Sequence, residues 1–445
     1  MNIDLPRGRF KEVLGDLLEA GLQAADPTLA IERTVKVRRE SLWVGTRRYD
    51  LRKYDRIVAV GAGKASGRMG LALENVLGNR LKGGLIVVKD GHGCKTKTLE
   101  IREAGHPIPD PRGRGAAKAV LGQVQRLTPQ DLAFVLISGG ASSLLPVPAE
   151  GLSLADKQKT TNLLLRSGAT IQEMNTVRKH LSEIKGGQLA SATSATVVTL
   201  LLSDVLGDDP SAIGSGPTAP DPTTFQDATQ ILRRYHLWDR LPGSVRTRMK
   251  RGIGGAVKET PKPGERLFAR VQNEIIGSNG LIIARVAKAA RKLGYHTLVL
   301  TSTLVGEAKE AAKTLGTIGR EIHQYGRPIR RPACIIMGGE PTVTVTGKGK
   351  GGRAQEFALS AAMVIAGLPS LWVAAMGTDG SDGPTDVAGA VVNGETLQKA
   401  EKLGLDPTKA LANNDSHRFF QRAGGHIITG PTGTNVNDLY ILLAP

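Results

Sequence analysis

The stretch "RIVAVGAGKASGRMG", Arg56 to Gly70, joins a continuously apolar run to a helical pattern through two closely spaced glycines and a lysine. A strand that turns this tightly into a helix suits an α/β unit, and the helix N-terminus then aims free N–H groups at whatever sits above it. Gly61 and Gly63 permit the turn and a close backbone approach, while Lys64 adds a full positive charge at the same spot. The spacing, G-x-G-x-x-x-G, is neither the dinucleotide fingerprint nor a Walker A loop. It reads as an anion site without a named anion, and an ordinary packing turn with a solvated lysine would look the same.

Further runs of the same kind follow: "GGLIVVK", "DLAFVLISGG", "ATVVTLLLSD", "HTLVLTST", "ACIIMGGE" and "LWVAAMGTDG". Runs this apolar suit parallel strands covered on both faces, so the class expected is α/β with right-handed crossovers. Most end in Gly, Ser, Thr or Asp, where the ligand crevice of an open parallel sheet lies. At 445 residues the chain is long enough for two or three domains. Glycine, proline and charge displace the apolar periodicity between Lys250 and Leu267. That break predicts a first domain over 1–250, a linker over 251–267 and a smaller domain over 268–445, with the strand-end loops of both facing one cleft.

Other loops point to related chemistry. "LISGGASSLLPVP", Leu136 to Pro148, follows a strand and offers Ser138, Gly139, Gly140 and Ser142; "GSGPT" and "TGPTGTN" repeat the composition. Any one of them is also what a plain turn looks like. Asp204, Asp208 and Asp209 follow one strand, and Asp379, Asp382 and Asp386 follow another. Such carboxylates can hold Mg²⁺, accept a proton from a substrate hydroxyl, or simply cap backbone turns. In "IMGGEPTVTVTGKGKGGRAQEF" an alternating strand "PTVTVTG" is expected, then a glycine loop with Lys348, Lys350 and Arg353. An arginine opening a helix is poorly placed for the dipole, which predicts an anion beside it.

Fifty-nine Lys and Arg against 41 Asp and Glu leave a formal charge of +18. The cations are spread from Arg7 to Arg422 with no basic tail and no aromatic interleaving, so small anionic substrates are a better expectation than nucleic acid. Cys94 and Cys334 have no paired spacing, which argues against a disulfide framework or a zinc site and for a cytoplasmic protein. The N-terminus reads as an amphipathic helix, with no export signal. The uncharged segment from Phe357 to Thr378 has the length of a membrane span, but Gly367-Leu-Pro-Ser370 breaks it into a buried helix, a turn and an interior strand.

Taken together, "VGAGKASGRM", "AGHPIPD", "SGGASSLL", "MNTVRKHLSEIKGGQLA", "LLSDVLGDDPSAIGSGPTAPDP", "GGEPTVTVTGKGKGGRAQE", "GTDGSDGPTD" and "NNDSHRFFQRAGGHIITGPTGTNVNDLYILL" resemble the glycerate 2-kinase family, whose C-terminal part is the MOFRL domain. The resemblance runs from about residue 57 to 443. It implies a Rossmann-like first domain, a MOFRL-type second one, and transfer of the γ-phosphoryl of ATP to D-glycerate with a divalent metal such as Mg²⁺. Carried onto this sequence, it gives Lys64, Asp204 and Arg353 as catalytic, with Lys64, Arg353 and Arg178 facing substrate. It gives Gly61, Gly63, Ser138, Gly139, Gly140, Ser142, Gly339, Glu340, Gly352 and Asp379 as nucleotide contacts, and Asp204 with Asp209 as metal ligands. His180 reads more readily as a structural histidine. Two departures stand out: Ala354 replaces an expected asparagine beside Arg353, and Gly214 replaces an expected alanine. The rival enzyme is an NAD(P)-dependent hydroxypyruvate reductase, which wants an acidic residue at the end of the second strand where "GGLIVVKD" has Lys89 before Asp90. The number of subunits stays open, a homodimer included.

Overall fold

Each of the seven apolar runs forms a strand, and the strands fall into two six-stranded sheets. The computed structural model describes residues 3–6 and 10–445. It divides into one unit of Pro27–Ile276 and another of Gly277–Pro445 together with the segment up to Asp26.

The first unit opens on a small antiparallel meander, β1 (Val35–Arg38), β2 (Ser41–Val44) and β3 (Arg47–Asp50). Its main sheet comprises β4 (Arg56–Ala62), β5 (Leu81–Lys89), β6 (Glu100–Ala104), β7 (Asp131–Ile137), β8 (Thr196–Leu202) and β9 (Val271–Gly277), in the order β6-β5-β4-β7-β8-β9. β4 through β8 pair in parallel. Counted from β4 the order is 3-2-1-4-5-6, that of a dinucleotide-type doubly wound sheet, so the Rossmann-like expectation holds. The chain leaves β4 toward β5 on one side and returns to pair with β7 on the other. The carboxyl ends of β4 and β7 therefore flank the switch point, where such sheets open a crevice. Val60, Ala62, Leu85, Val87, Val135 and Ile137 are buried in one cluster, and each large aliphatic among them contributes about 1.5–3 kcal/mol.

The second unit holds β10 (His296–Leu304), β11 (Ala333–Gly339), β12 (Trp372–Gly377), β13 (Gly389–Asn393), β14 (His426–Ile427) and β15 (Asp438–Ala444), ordered β10-β11-β15-β12-β13-β14. Here the parallel expectation fails. Only β10 and β11 run parallel; β15 lies antiparallel between β11 and β12, and β12, β13 and β14 are antiparallel in turn. Continuous apolarity reported burial of both faces, which a covered mixed sheet demands equally. The uncharged stretch divides as expected, into the helix Arg353–Val364 and β12. No helix among the described residues is long and apolar enough to cross a membrane.

Three expectations need correcting. The segment 251–267 is no linker between units: it is stapled to the first. The Glu259 carboxylate accepts from Phe225 N (2.8 Å) and lies 3.1 Å from His180 Nε2, and the Thr260 hydroxyl donates to Asp221 (2.9 Å). Buried polar anchors hold what composition alone makes look loose, and the division falls at Ile276 instead. Secondly, the helix Lys11–Ala25 belongs with the C-terminal strands rather than with the first domain. It buries Leu14, Leu17, Leu18 and Leu22, and a Cβ on Gly21 would come within 3.1 Å of Leu439 and 3.3 Å of Val286. Residues 1, 2 and 7–9 of the expected amphipathic N-terminus lie outside the described residues. Finally, "PTVTVTG" makes only an isolated bridge, Glu307 to Thr342. Beyond Thr342 N, which donates to Gly306 O (2.7 Å), its donors go to side chains: Thr344 N to Glu307 (3.1 Å), Thr346 N and Gly347 N to Asn414 Oδ1 (2.8 and 2.9 Å).

Candidate active site

At the switch point the opening motif is locked onto β7. Lys64 N donates to Gly139 O (2.8 Å) and Ser138 N to Ala62 O (3.2 Å). The Ser138 hydroxyl accepts from Ala65 N (3.0 Å) and lies 3.0 Å from the Ser66 hydroxyl. Gly63 has φ +144°, and a Cβ there would meet Ser138 Oγ at 2.1 Å, so neither its conformation nor its space admits a side chain. Ser138, expected to contact nucleotide, is buried and spends its hydroxyl on the start of the helix Ser66–Leu77. Gly61 is likewise a packing residue, its Cβ position 2.0 Å from Leu136 O.

The structure does bring Lys64, Gly139, Gly140 and Asp204 together. A Cβ on Gly139 would sit 2.3 Å from Asp204 Oδ2; one on Gly140 would sit 3.5 Å from Lys64 Cγ and 3.0 Å from the His106 ring. Gly140, at φ +89°, caps the short helix Ala141–Leu144. Cation, carboxylate and imidazole thus crowd one bare turn at the carboxyl end of β7. Burial, then the charges of Lys64, Lys89 and His92, hold the His106 imidazole down at about 4, so at neutral pH it is uncharged.

Beside this turn opens a cavity of about 370 Å³, lined by His106, Gly140, Ser142, Lys157, Arg178 and Lys185 among others. Capping boxes at Ser153/Asp156 and Thr170/Glu173 start the two helices, Leu154–Arg166 and Ile171–His180, that carry Lys157 and Arg178. Arg178, expected from the sequence to face substrate, lines the cavity. Ser142 Oγ lies 2.9 Å from Ser215 Oγ and accepts from Lys185 Nζ (3.1 Å), while Ser215 donates to Asn175 (3.1 Å). His106, Lys157 and Lys185 were missed. Lys157 had left a signal: with Thr160 and Leu164 it falls on the inward stripe of its helix, an odd place for a lysine. His180 is structural, its ring nitrogens 2.8 Å from Thr176 O and 3.1 Å from Glu259.

The remaining acids divide. Asp209 accepts from Ser211 N (2.8 Å) and the Ser211 hydroxyl (2.7 Å), closing a turn, and Asp379 does the same for Ser381 (3.0 and 3.2 Å). Among the described residues no group of three or more His, Cys, Asp or Glu could hold a metal by itself.

In the second unit, the anion expected beside Arg353 is supplied internally. Its guanidinium binds Asp438 through Nε (2.6 Å) and Nη2 (3.1 Å) and Glu340 through Nη1 (2.9 Å). Asp382 caps the helix that Arg353 begins, accepting from Ala354 N (3.0 Å) and Gln355 N (2.9 Å). Burial opposes charge on Arg353, but Asp438 and Glu340 raise its pKa further; burial in turn pushes the Asp438 carboxyl up to about 7. Glu340 is therefore an arginine partner, and Gly352 and Gly339 are glycines for close packing, against Asp382 and Leu304. The alanine at 354 makes its cap contact through its backbone, which any residue provides.

The nicotinamide alternative finds no ribose-binding acid: β5 ends at Lys89, and both oxygens of Asp90 are held by Arg112 (2.8 and 2.9 Å).

Comparison with known proteins agrees. Residues 13–250 match the family model "Domain of unknown function (DUF4147)" and residues 333–438 the MOFRL family. The chain is 43% identical to a glycerate 2-kinase of Pyrococcus horikoshii, over 98% of this chain and 97% of that one. It is 43% identical to a D-glycerate 2-kinase of Thermotoga maritima, over 87% and 90%. A solved structure of glycerate kinase from Thermotoga maritima superposes with a TM-score of 0.88 at 39% identity, covering 98% of this chain and 99% of that one. With its sheet order, its strand-end turn and its sequence matched almost end to end, the chain belongs to the glycerate 2-kinase family.

Proposed function

We propose that the protein transfers the γ-phosphoryl group of ATP to D-glycerate, giving 2-phosphoglycerate. The observation that carries this reading is the crowding of Lys64 and Asp204 around the Gly139–Gly140 turn at the switch point. Phosphoryl transfer asks the protein mainly for position and for charge placed against the moving group. Lys64, fixed through its backbone to Gly139, supplies that charge. Asp204, lying against the turn, orients the attacking hydroxyl and accepts its proton. Bare glycines at 139 and 140 let phosphate oxygens approach the backbone. Mg²⁺ commonly takes one or two carboxylates plus substrate phosphates rather than a full protein cage, so a carboxylate at the turn is the donor it would need. Asp204 would hold it with the substrate's phosphates, Asp209 having both oxygens on Ser211, and it would supply neutralisation of the nucleotide's phosphates.

Arg353 we place differently from the first expectation: bound to Asp438 and Glu340, it is a keystone of its own unit.

With Mg²⁺, ATP and D-glycerate the protein should form ADP and a phosphoglycerate whose ³¹P spectrum identifies the 2-isomer, and it should leave NADH unoxidised in hydroxypyruvate. NADH oxidation without ADP formation would overturn the reading. A second test uses the turn. Gly139→Ala must displace the Asp204 carboxylate and, at roughly 1 Å of misplacement, should lower kcat by about 10²-fold. Gly115→Ala, on a helix face with nothing within 4 Å, is the control and should leave kcat unchanged.

A further inference from the structure

Lys157, Arg178 and Lys185 reach one cavity from two helices and the loop behind them. Lys185 is 2% exposed and Lys157 8%. Neither meets a carboxylate among the described residues: Lys157 Nζ donates to Val147 O (3.1 Å), and Lys185 Nζ to the carbonyl (2.6 Å) and hydroxyl (3.1 Å) of Ser142. Arg178, with no hydrogen-bond partner among the described residues, points into the same space. Elsewhere this unit pairs its buried cation, Lys179 with Asp221 at 3.3 Å. Burying cationic groups without a counter-ion is costly, and an arriving anion relieves that cost.

We propose that Lys157, Arg178 and Lys185 bind the carboxylate of the substrate, and that this cavity is what selects a hydroxy acid over a neutral polyol. The assignment rests on the glycerate kinase reading and deepens it. Lys185, hydrogen-bonded to Ser142, ties the carboxylate pocket to the loop that carries the Gly139–Gly140 turn. Protonation supports it. Burial, reinforced by Arg178, brings Lys157 down to about 7, and burial with Lys157 and Arg178 brings Lys185 well below its ordinary value. Glu183 acts on Lys157 in the opposite sense and Arg248 in the same one; Arg248 in turn feels Glu183 and Glu150, and the neutral His106 lines the cavity. A bound carboxylate favours the charged lysines, so binding draws in protons. Above about pH 7 the free protein holds Lys157 neutral, and affinity should fall, toward about tenfold per pH unit.

The test is calorimetry of D-glycerate binding to the full chain at pH 8 in two buffers of different ionisation heat, paired with kinetics of Lys185→Met. Between one and two protons should be taken up, as one or both lysines charge. Lys185→Met should raise KM for D-glycerate about 10- to 100-fold, the loss of a charged hydrogen bond, with KM for ATP within about twofold. Its Tm should be equal or higher, because a buried amine with no carboxylate partner gives way to an apolar chain. An unchanged KM for D-glycerate overturns the proposal, and so does binding without proton uptake. Should Lys185→Met fail to fold, the calorimetry on the unmodified protein decides alone. Proton-linked binding of D-glycerate without ADP formation would sink the phosphoryl-transfer reading and keep this one; turnover with neither signature would do the reverse.

Discussion

Lys64→Ala is expected to lower kcat by about 10²-fold or more with little change in Tm. The side chain that supplies the charge is removed, whereas the backbone bond from residue 64 to Gly139 O and the seam between β4 and β7 do not depend on it. A donor or cation aimed at developing charge in a water-poor site is commonly worth that much. An independent readout accompanies it. Burial and then the Lys64 charge keep the His106 imidazole near 4, so its titration, followed by NMR, should move upward in the variant. Near-native turnover with a shifted His106 would show that Lys64 stands at the turn without acting on the phosphoryl group.

Arg353→Ala is expected to cost about 3–5 kcal/mol of stability, because it leaves Asp438, 2% exposed, as a buried carboxylate stripped of its bidentate partner. Urea denaturation measures this directly. Pairing it with Asp438→Asn should recover much of the loss, since the uncompensated charge disappears with its counter-ion. Additive losses would mean that each residue acts through other contacts. Any fall in activity of Arg353→Ala has to be measured on the folded fraction. A full loss of kcat at intact stability would return Arg353 to the substrate.

Both expectations trace to how differently two similar signals resolved. Glycine, lysine and a helix start at 61–66 announced an anion site, and glycine, arginine and a helix start at 352–353 announced another. In the first the carboxylate of Asp204 lies across the turn from a lysine whose ammonium no described residue binds. In the second, Asp382, Glu340 and Asp438 fill the place of the expected anion. Local sequence shows that a positive end exists, but its neutraliser can lie 28 or 85 residues further on, where no local pattern reaches.

What the sequence by itself determined is the class of the chain, the strands and the strand-end turns. Apolar runs must be buried on both faces, and glycines where backbones nearly touch leave a legible mark. Strand direction in the second sheet, the allegiance of the helix Lys11–Ala25, the true division at Ile276 and the convergence of Lys157, Arg178 and Lys185 were decided only by tertiary structure. Each depends on pairing between residues far apart in the chain, and a lysine reads the same in sequence whether water or a buried cavity surrounds it.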